Sequence, residues 1–588
     1  MAVAVTACTE LSHCLVEAER FDDYGGWVRD DQFYDQLGSS YLMAHGMGVP
    51  VEDASTVVTL PSSGMWNVWV KTHNWNARWD ARNTPCLFSL SVNGEEVCDS
   101  LGAFPSEWGW VKAGRVRVPD RRVTLTLHDL TGFNGKCDAV FFTKSDTLDL
   151  PERKPCKKVV EKKDYDLIVA GGGMAGLCAA ISASRMGIRT LILQDRPVLG
   201  GNSSVENMVG INGAIMKPPY ENMGRVLAEY GRPFDAPSKV DSLLACEDGL
   251  DILCSHRVVG AETKDGRITS VTAVNLNDGL HHVFRAKFYA DCTGDAVLGY
   301  LAGAEYMSGQ ESCDRYGEDL APEKPYGLSF GSTLRWYARR SDEVSGFPLC
   351  PWAVSIDESS VQETLDNKWY WETGFYLDQI KDAEQIRDSW FRYIYGNWSY
   401  LKNTEPYRTE YADASLKYVS YVLAKRESRR LKGDVVFTQN DIIKEDWRRY
   451  DDPAVYCSYP VDQHFPAGEY KSIQKHCYNP AGPLKKKLPG VNINNPSMLP
   501  YRALYSRNIE NLFMAGRNVS VTRIALASTR VAGSTSMMGE AVGIASSLCV
   551  KYGCSPRELY SGHLDELIEA FRKGVPSRHE VTYVPRPF

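Results

Sequence analysis

Hydrophobic and polar positions divide the chain into three textures. From residue 16 to 143, short apolar stretches alternate with polar positions and are broken by turn residues. Residues 56–60, 66–71, 87–92, 114–118, 122–127 and 139–142 read as strands. Asn93-Gly94 is a hairpin signal, and Pro61, Pro105 and Pro119 punctuate the rest. Many strands at short spacing predict a β-sandwich or jelly roll. From Asp166 the pattern is α/β. An apolar strand runs to Ala170, an Ala-rich helix over 177–186 stops at Gly187, and a second apolar strand spans 190–193. A helix over 220–230, strands at 251–255 and 257–262, strands around turns over 266–277 and a small helix at 298–303 follow. The third texture, 305–424, is dense in aromatic residues. Residues 418–434 read as a helix ending at Gly433 and carrying the string Arg426-Glu427-Ser428-Arg429-Arg430.

Between the first two textures, 144–163 is polar and rich in Lys, Asp and Pro, and reads as a linker. At 588 residues the chain is too long for one core. A net charge of −8 argues against a nucleic-acid surface, and no basic run suggests one. No apolar run approaches the ~20 residues needed to span a bilayer. The N-terminus lacks a basic start and a long apolar stretch, so a cytoplasmic location is expected, with a periplasmic or secreted one open if the start has been trimmed. The 16 cysteines are scattered singly with no Cys-x-x-Cys pair, which disfavours zinc ribbons, iron–sulfur clusters and redox pairs, and no metal site is expected. The 14 Trp and 31 Tyr suit sugar-stacking surfaces as well as large cores.

The strand–turn–helix–strand unit carries the chemistry. Gly171, Gly173 and Gly176 form Gly-x-Gly-x-x-Gly between a strand and a helix, with Met174 and Ala175 between the last two. Such glycines let backbone approach a pyrophosphate, and the helix N-terminus adds N–H donors and a positive dipole end. An acid for the adenosine ribose is expected at the end of the second strand. Gln194 occupies that place and Asp195 follows. Strand alternation lets only one of them point at the ribose. No second glycine fingerprint follows a strand, so the chain lacks a separate NAD(P)H unit.

Three blocks then resemble FAD-dependent oxidoreductases of the fumarate-reductase and glutathione-reductase-like kind. They are Arg196 with the segment PVLGGNSS, including Gly201, Asn202 and Ser203; FYADCTGD, including Gly294 and Asp295; and residues 511–545, including Gly516, Arg517, Ser534 and Thr535. The resemblance covers roughly residues 164–548. It implies FAD as cofactor, a Rossmann-like FAD-binding fold and an inserted substrate or cap domain. The N-terminal stretches VEAERFDDYGGW, MWNVWVKTHNW and VTLTLHDLTGFNGKCDAVFFT resemble carbohydrate-binding modules of the galactose-binding-like jelly-roll group. That likeness offers Trp27, Trp66, Trp69, Trp75, Trp79, Trp108 and Trp110 as sugar platforms, with a core role as the alternative.

The expected architecture is multidomain α/β plus all-β. It comprises a sandwich at 1–143, a linker at 144–163, FAD-binding parts at 164–310 and 426–560, a cap at 311–425 and a tail at 561–588. His464, between prolines and two residues from Asp462, is the candidate general acid/base, with His476 next. Arg523 and Arg530 are candidates to bind a substrate oxyanion or stabilise reduced flavin, and Glu540 to neutralise one of them. The expected reaction is oxidation of a carbohydrate or glycoside hydroxyl by hydride transfer to flavin N5. The alternatives are reduction of an activated alkene, or a glycan-binding flavoprotein without turnover. The expected partners are a small-molecule or glycan substrate and an electron acceptor that the sequence does not specify. Homo-oligomerisation is left open.

Overall fold

The computed structural model describes residues 12–150, 158–233, 235, 237–367, 371–443, 449–468, 470–476, 497–583 and 585. Its central sheet runs in the order Leu250–Leu253, Thr190–Leu193, Lys158–Ala170, His281–Asp291, and Leu512–Met514 pairs beside the last of these. All four pairings are parallel. Both faces are covered, which is why the segments read LIVA, TLIL and LFM without a polar alternation. The strands His256–Lys264 and Arg267–Asn275 form an antiparallel extension on the first half of His281–Asp291.

Two helices lie against each other beside this sheet, Met174–Arg185 and the 21-residue Ala532–Tyr552. Their small residues set the approach. A Cβ at Gly539 or Gly543 would strike the backbone carbonyls of Ala175 or Ala179. The first strand begins at Lys158 and spans 13 residues, so 158–163, read from composition as linker, is strand. The helix expected over 220–230 is confined to Arg225–Tyr230.

The N-terminal unit consists of two antiparallel sheets. One has six strands, with Gly135–Thr143 paired to Gly64–Thr72, Tyr41–Ala44 and His13–Glu17. The other has the order Ala54–Thr59, Arg122–Asp129, Phe88–Val92, Glu95–Leu101. Trp66, Val68, Leu90, Leu125 and Phe142 share the core between them. Trp27, Trp66 and Trp75 are buried, so these three are packing residues and not sugar platforms. Trp69, Trp79, Trp108 and Trp110 are half-buried.

The aromatic middle segment folds around the helix Ala383–Asn403. Its Trp390, Phe391, Tyr395 and Trp398 form one core with Trp336 and Trp352, and with Phe33, Tyr41, Trp75 and Phe133 of the N-terminal unit. The aromatic density is thus a core shared by two parts of the chain. The helix expected over 418–434 is absent. Ala414–Val419 and Arg430–Leu431 are strands with irregular chain between them. Its charges pair over long range instead: Arg426 with Glu372, Arg430 with Glu311, and Glu427 with Arg523. Among the described residues, no helix is long and apolar enough to cross a membrane.

Candidate active site

A cleft of about 900 Å³ opens at the carboxyl ends of the parallel strands. That is where open α/β sheets bind ligands, and the volume lies in the ~300–1,000 Å³ range of cofactor sites. Its floor is the glycine turn. Gly171 has φ +94°, and a Cβ there would lie 2.5 Å from the Cys292 carbonyl oxygen. Gly173 is the N-cap of Met174–Arg185 and leaves that terminus without a side-chain cap. The helix Ala532–Tyr552 also begins without a side-chain cap, and Val531, Ala532 and Thr535 line the cleft. Two helix N-termini therefore bring N–H groups and positive dipole ends to one cavity.

Of the residues singled out in the sequence, Gly171, Gly173, Met174, Ala175, Gln194, Asp195, Arg196, Gly201, Asn202, Ser203, Gly294, Asp295, Gly516, Arg517, Thr535, His464 and Arg530 line this cleft. Gly176 does not. A Cβ there would run into the Gly171 carbonyl, so this glycine serves the close packing of helix on turn. Gly176→Ala should weaken FAD binding roughly 10–100-fold, from about 1–3 kcal/mol of overpacking strain, in a titration of apoprotein with FAD. Ser534 is also outside the lining; it is fully buried, and its hydroxyl donates to the Tyr456 carbonyl at 3.5 Å.

Gln194 is used up by the turn itself. Its Oε1 accepts the Gly172 N–H at 2.7 Å, and its Nε2 donates to the Val198 carbonyl at 3.0 Å. Asp195 stands open in the cleft wall, 3.5 Å from Arg257. Arg196 turns to Glu206 at 2.6 Å and to Asp31 of the N-terminal unit at 3.6 Å. Asp295 is clamped by Lys425 at 2.7 Å, Arg517 at 2.6 Å and the Ser428 hydroxyl at 2.8 Å. Burial would raise its carboxyl, but Lys425 and Arg517 outweigh that and hold it well below the usual carboxylate range.

One wall holds an imidazole, two carboxylates and two guanidinium groups. His464 is 1% exposed and sits in the strand Asp462–Gly468, not in a loop. One ring nitrogen faces Glu372 at short range; the other lies 2.8 Å from Asp462 Oδ2. Glu372 is fully buried, and burial alone would raise it. Arg426, 3.2 Å away, and His464 hold it below the ordinary glutamate value instead. Arg530 stands 3.5 Å from Asp462, its guanidinium 5.2 Å from the Phe330 ring centroid. Its Nε and Nη2 are buried and make no hydrogen bond. Tyr459 and Arg426 complete this wall.

Arg523 lies elsewhere. It is 0% exposed and outside the cleft lining, with Nε donating to Glu427 at 3.1 Å, Nη1 to Gln310 at 3.0 Å, and the guanidinium 4.2 Å from the Phe330 ring. These contacts place it behind Phe330, away from the cleft lining expected from the sequence. Glu540 neutralises neither arginine: its carboxylate accepts the Gly224 and Val226 N–H groups, each at 2.7 Å. His476 ends the strand Lys471–His476, opposite Asp462 in register, and its side chain falls outside the described residues. Glu372, Lys425, Arg257 and the sandwich residues Gln32, Phe33, Asp35 and Gln36 were not anticipated at the site. No periodic or spacing signal ties them to it, because each reaches it through a long-range contact.

A parallel sheet with a glycine turn under an uncapped helix, at the foot of a cleft at the carboxyl ends of its strands, is the arrangement of a dinucleotide-binding protein. The chain belongs to the FAD dependent oxidoreductase family, whose model matches residues 166–573. It is an enzyme of that family and its cofactor is FAD. Over 223 residues it is 47% identical to pseudooxynicotine dehydrogenase of a Pseudomonas species, covering 34% of this chain and 44% of that protein. Over 173 residues it is 25% identical to digeranylgeranylglycerophospholipid reductase 1 of Methanococcoides burtonii, covering 24% and 41%. The chain thus spans less than half the length of these curated relatives. Among solved structures, a myxobacterial chondrochloren halogenase, an FAD-dependent enzyme, matches at 12% identity and TM-score 0.32, over 70% of this chain and 79% of that one. A family 35 carbohydrate binding module from Clostridium thermocellum matches at 18% identity and TM-score 0.19, over 22% and 98%.

Proposed function

We propose that the enzyme oxidises a hydroxyl of a small organic substrate, with carbohydrates or glycosides as the substrate class, and that Asp462, His464 and Glu372 handle the proton. The observation that carries this reading is the imidazole between two carboxylates at the cleft wall. When bound, FAD supplies the two-electron acceptor at N5. A carbinol carbon releases hydride readily only as its hydroxyl loses a proton, so an acceptor must lie within reach. Asp462 and His464 both line the cleft, and a proton arriving at either is shared across their 2.8 Å contact. Glu372 fixes the ring from behind. Arg530 and the neighbouring helix N-terminus stabilise the alkoxide charge as it develops. Asn202, Asn207 and Asn212 in the lining offer hydrogen-bond partners to further hydroxyls. Three of the seven candidate tryptophans of the N-terminal unit are core, so the carbohydrate reading rests chiefly on this polar lining.

A second reading has its own support. Arg530 lies 3.5 Å from Asp462 through Nη2, and its Nε makes no hydrogen bond, which suits an arginine that also binds a substrate carboxylate or protonates the carbanion left when hydride adds to an alkene. One experiment separates the two. Holoprotein is mixed anaerobically with a panel of sugars, glycosides and simple alcohols, and its flavin absorbance is followed. Bleaching by a member of the panel is the expected result. Flavin that none of them reduces, but that an α,β-unsaturated acid reoxidises after dithionite, would replace the first reading with the second.

A further inference from the structure

The N-terminal unit reaches into the FAD cleft. Gln32, Phe33, Asp35 and Gln36 line it, opposite Gln194, Asp195 and Arg257. Phe33 is 3% exposed, and the Arg387 guanidinium lies 4.8 Å from its ring centroid, so this part of the wall is packed against the helix Ala383–Asn403. The Gln32 amide donates to the Tyr421 carbonyl at 2.8 Å. Arg257 bridges the two walls. Its Nη2 donates to Asp35 Oδ2 at 2.6 Å, and its Nη1 lies 3.5 Å from Asp195 Oδ2. Gln194 occupies the place where the fingerprint expects the adenosine ribose ligand but is committed to the glycine turn, which leaves Asp195, one position on, as the acid beside that place.

We propose that the N-terminal unit is a wall of the cofactor site, in which the Asp35–Arg257–Asp195 bridge retains the adenosine half of FAD. The inference rests on the FAD reading of the cleft. Arg257 and Asp35 are positioning residues here. The bridge ties the segment 32–36 to the strand that begins at His256, and Arg257 orients Asp195 toward the diol. A second tie, Arg196 between Glu206 and Asp31, holds the same segment at its other end. Retention of the adenosine half predicts a selective effect, because FMN carries the flavin and one phosphate but no adenosine.

The test is titration of full-length apoprotein with FAD and, separately, with FMN, for wild type, Arg257→Gln, Asp35→Asn and Asp35→Glu. FAD affinity should fall tenfold or more in R257Q, three- to tenfold in D35N, and return to within twofold in D35E. FMN affinity should stay within twofold of wild type throughout. Unchanged FAD affinity in R257Q and D35N would overturn the inference, and so would equal loss of FAD and FMN, which would mean general damage to the fold. Wild-type apoprotein that takes up no FAD would sink the cofactor reading itself, a separate signature.

Discussion

His464→Ala is expected to slow flavin reduction by substrate about 10²–10⁴-fold while the protein still purifies with FAD, the range general acid–base catalysis contributes. Stopped-flow absorbance under anaerobic conditions reads the rate directly. The two effects separate because the groups proposed to cradle the dinucleotide, the turn at Gly171 and the Asp295 clamp, do not touch the imidazole. Asp462→Asn should lose part of the same rate, since an amide still fills the space but cannot accept the proton as a carboxylate does. Glu372→Gln should act through the ring and through Arg426, its two partners. A His464→Ala rate within threefold of wild type would mean that the proton leaves by another route and that the row is structural.

The glycine unit was legible in the sequence because its geometry admits few other residues. Gly171 needs a positive φ, and Gly176 leaves no room for a Cβ. Apolar strands without alternation announced a buried parallel sheet for the same kind of reason. His464 was found by its setting between prolines, yet its partner Glu372 lies 92 residues away and leaves no local mark. The string Arg426–Arg430 was placed on a helix that is not there, for the converse reason. Its charges do form a structural salt-bridge network, but through partners far along the chain: Arg430 finds Glu311 at a separation of 119 residues and Glu427 finds Arg523 at 96. Tryptophan content could not distinguish a sugar platform from a core: Trp75 packs edge-on against Trp352 of the middle segment at 5.5 Å, a contact no composition encodes. The acid-rich run from Asp30 to Asp35 carries no motif, although Asp30, Asp31 and Asp35 pair with Arg387, Arg196 and Arg257 respectively.

The first of those pairs belongs to a buried cluster of charges at the seam between the N-terminal unit and the helix Ala383–Asn403. Lys136 is fully buried, with Nζ 3.1 Å from Glu384 and 2.9 Å from Asp388. Arg387, also fully buried, faces Asp30 at short range, donates to the Tyr41 hydroxyl at 3.0 Å and to Asp388 at 2.9 Å. His73, Glu384 and Asp388 are arranged closely enough to hold a metal ion, but the Lys136 ammonium already lies between the two carboxylates. Removing one cation leaves buried carboxylates with too little compensation, which costs about 3–5 kcal/mol. Lys136→Met should therefore lower the thermal midpoint by several degrees and open the 383–403 helix to limited proteolysis. The partner substitution decides the cause. Asp388→Leu removes one carboxylate together with its desolvation, so K136M/D388L should recover a large part of the loss. If the double variant is as unstable as the sum of the single ones, Lys136 contributes packing and the seam is not held by charge.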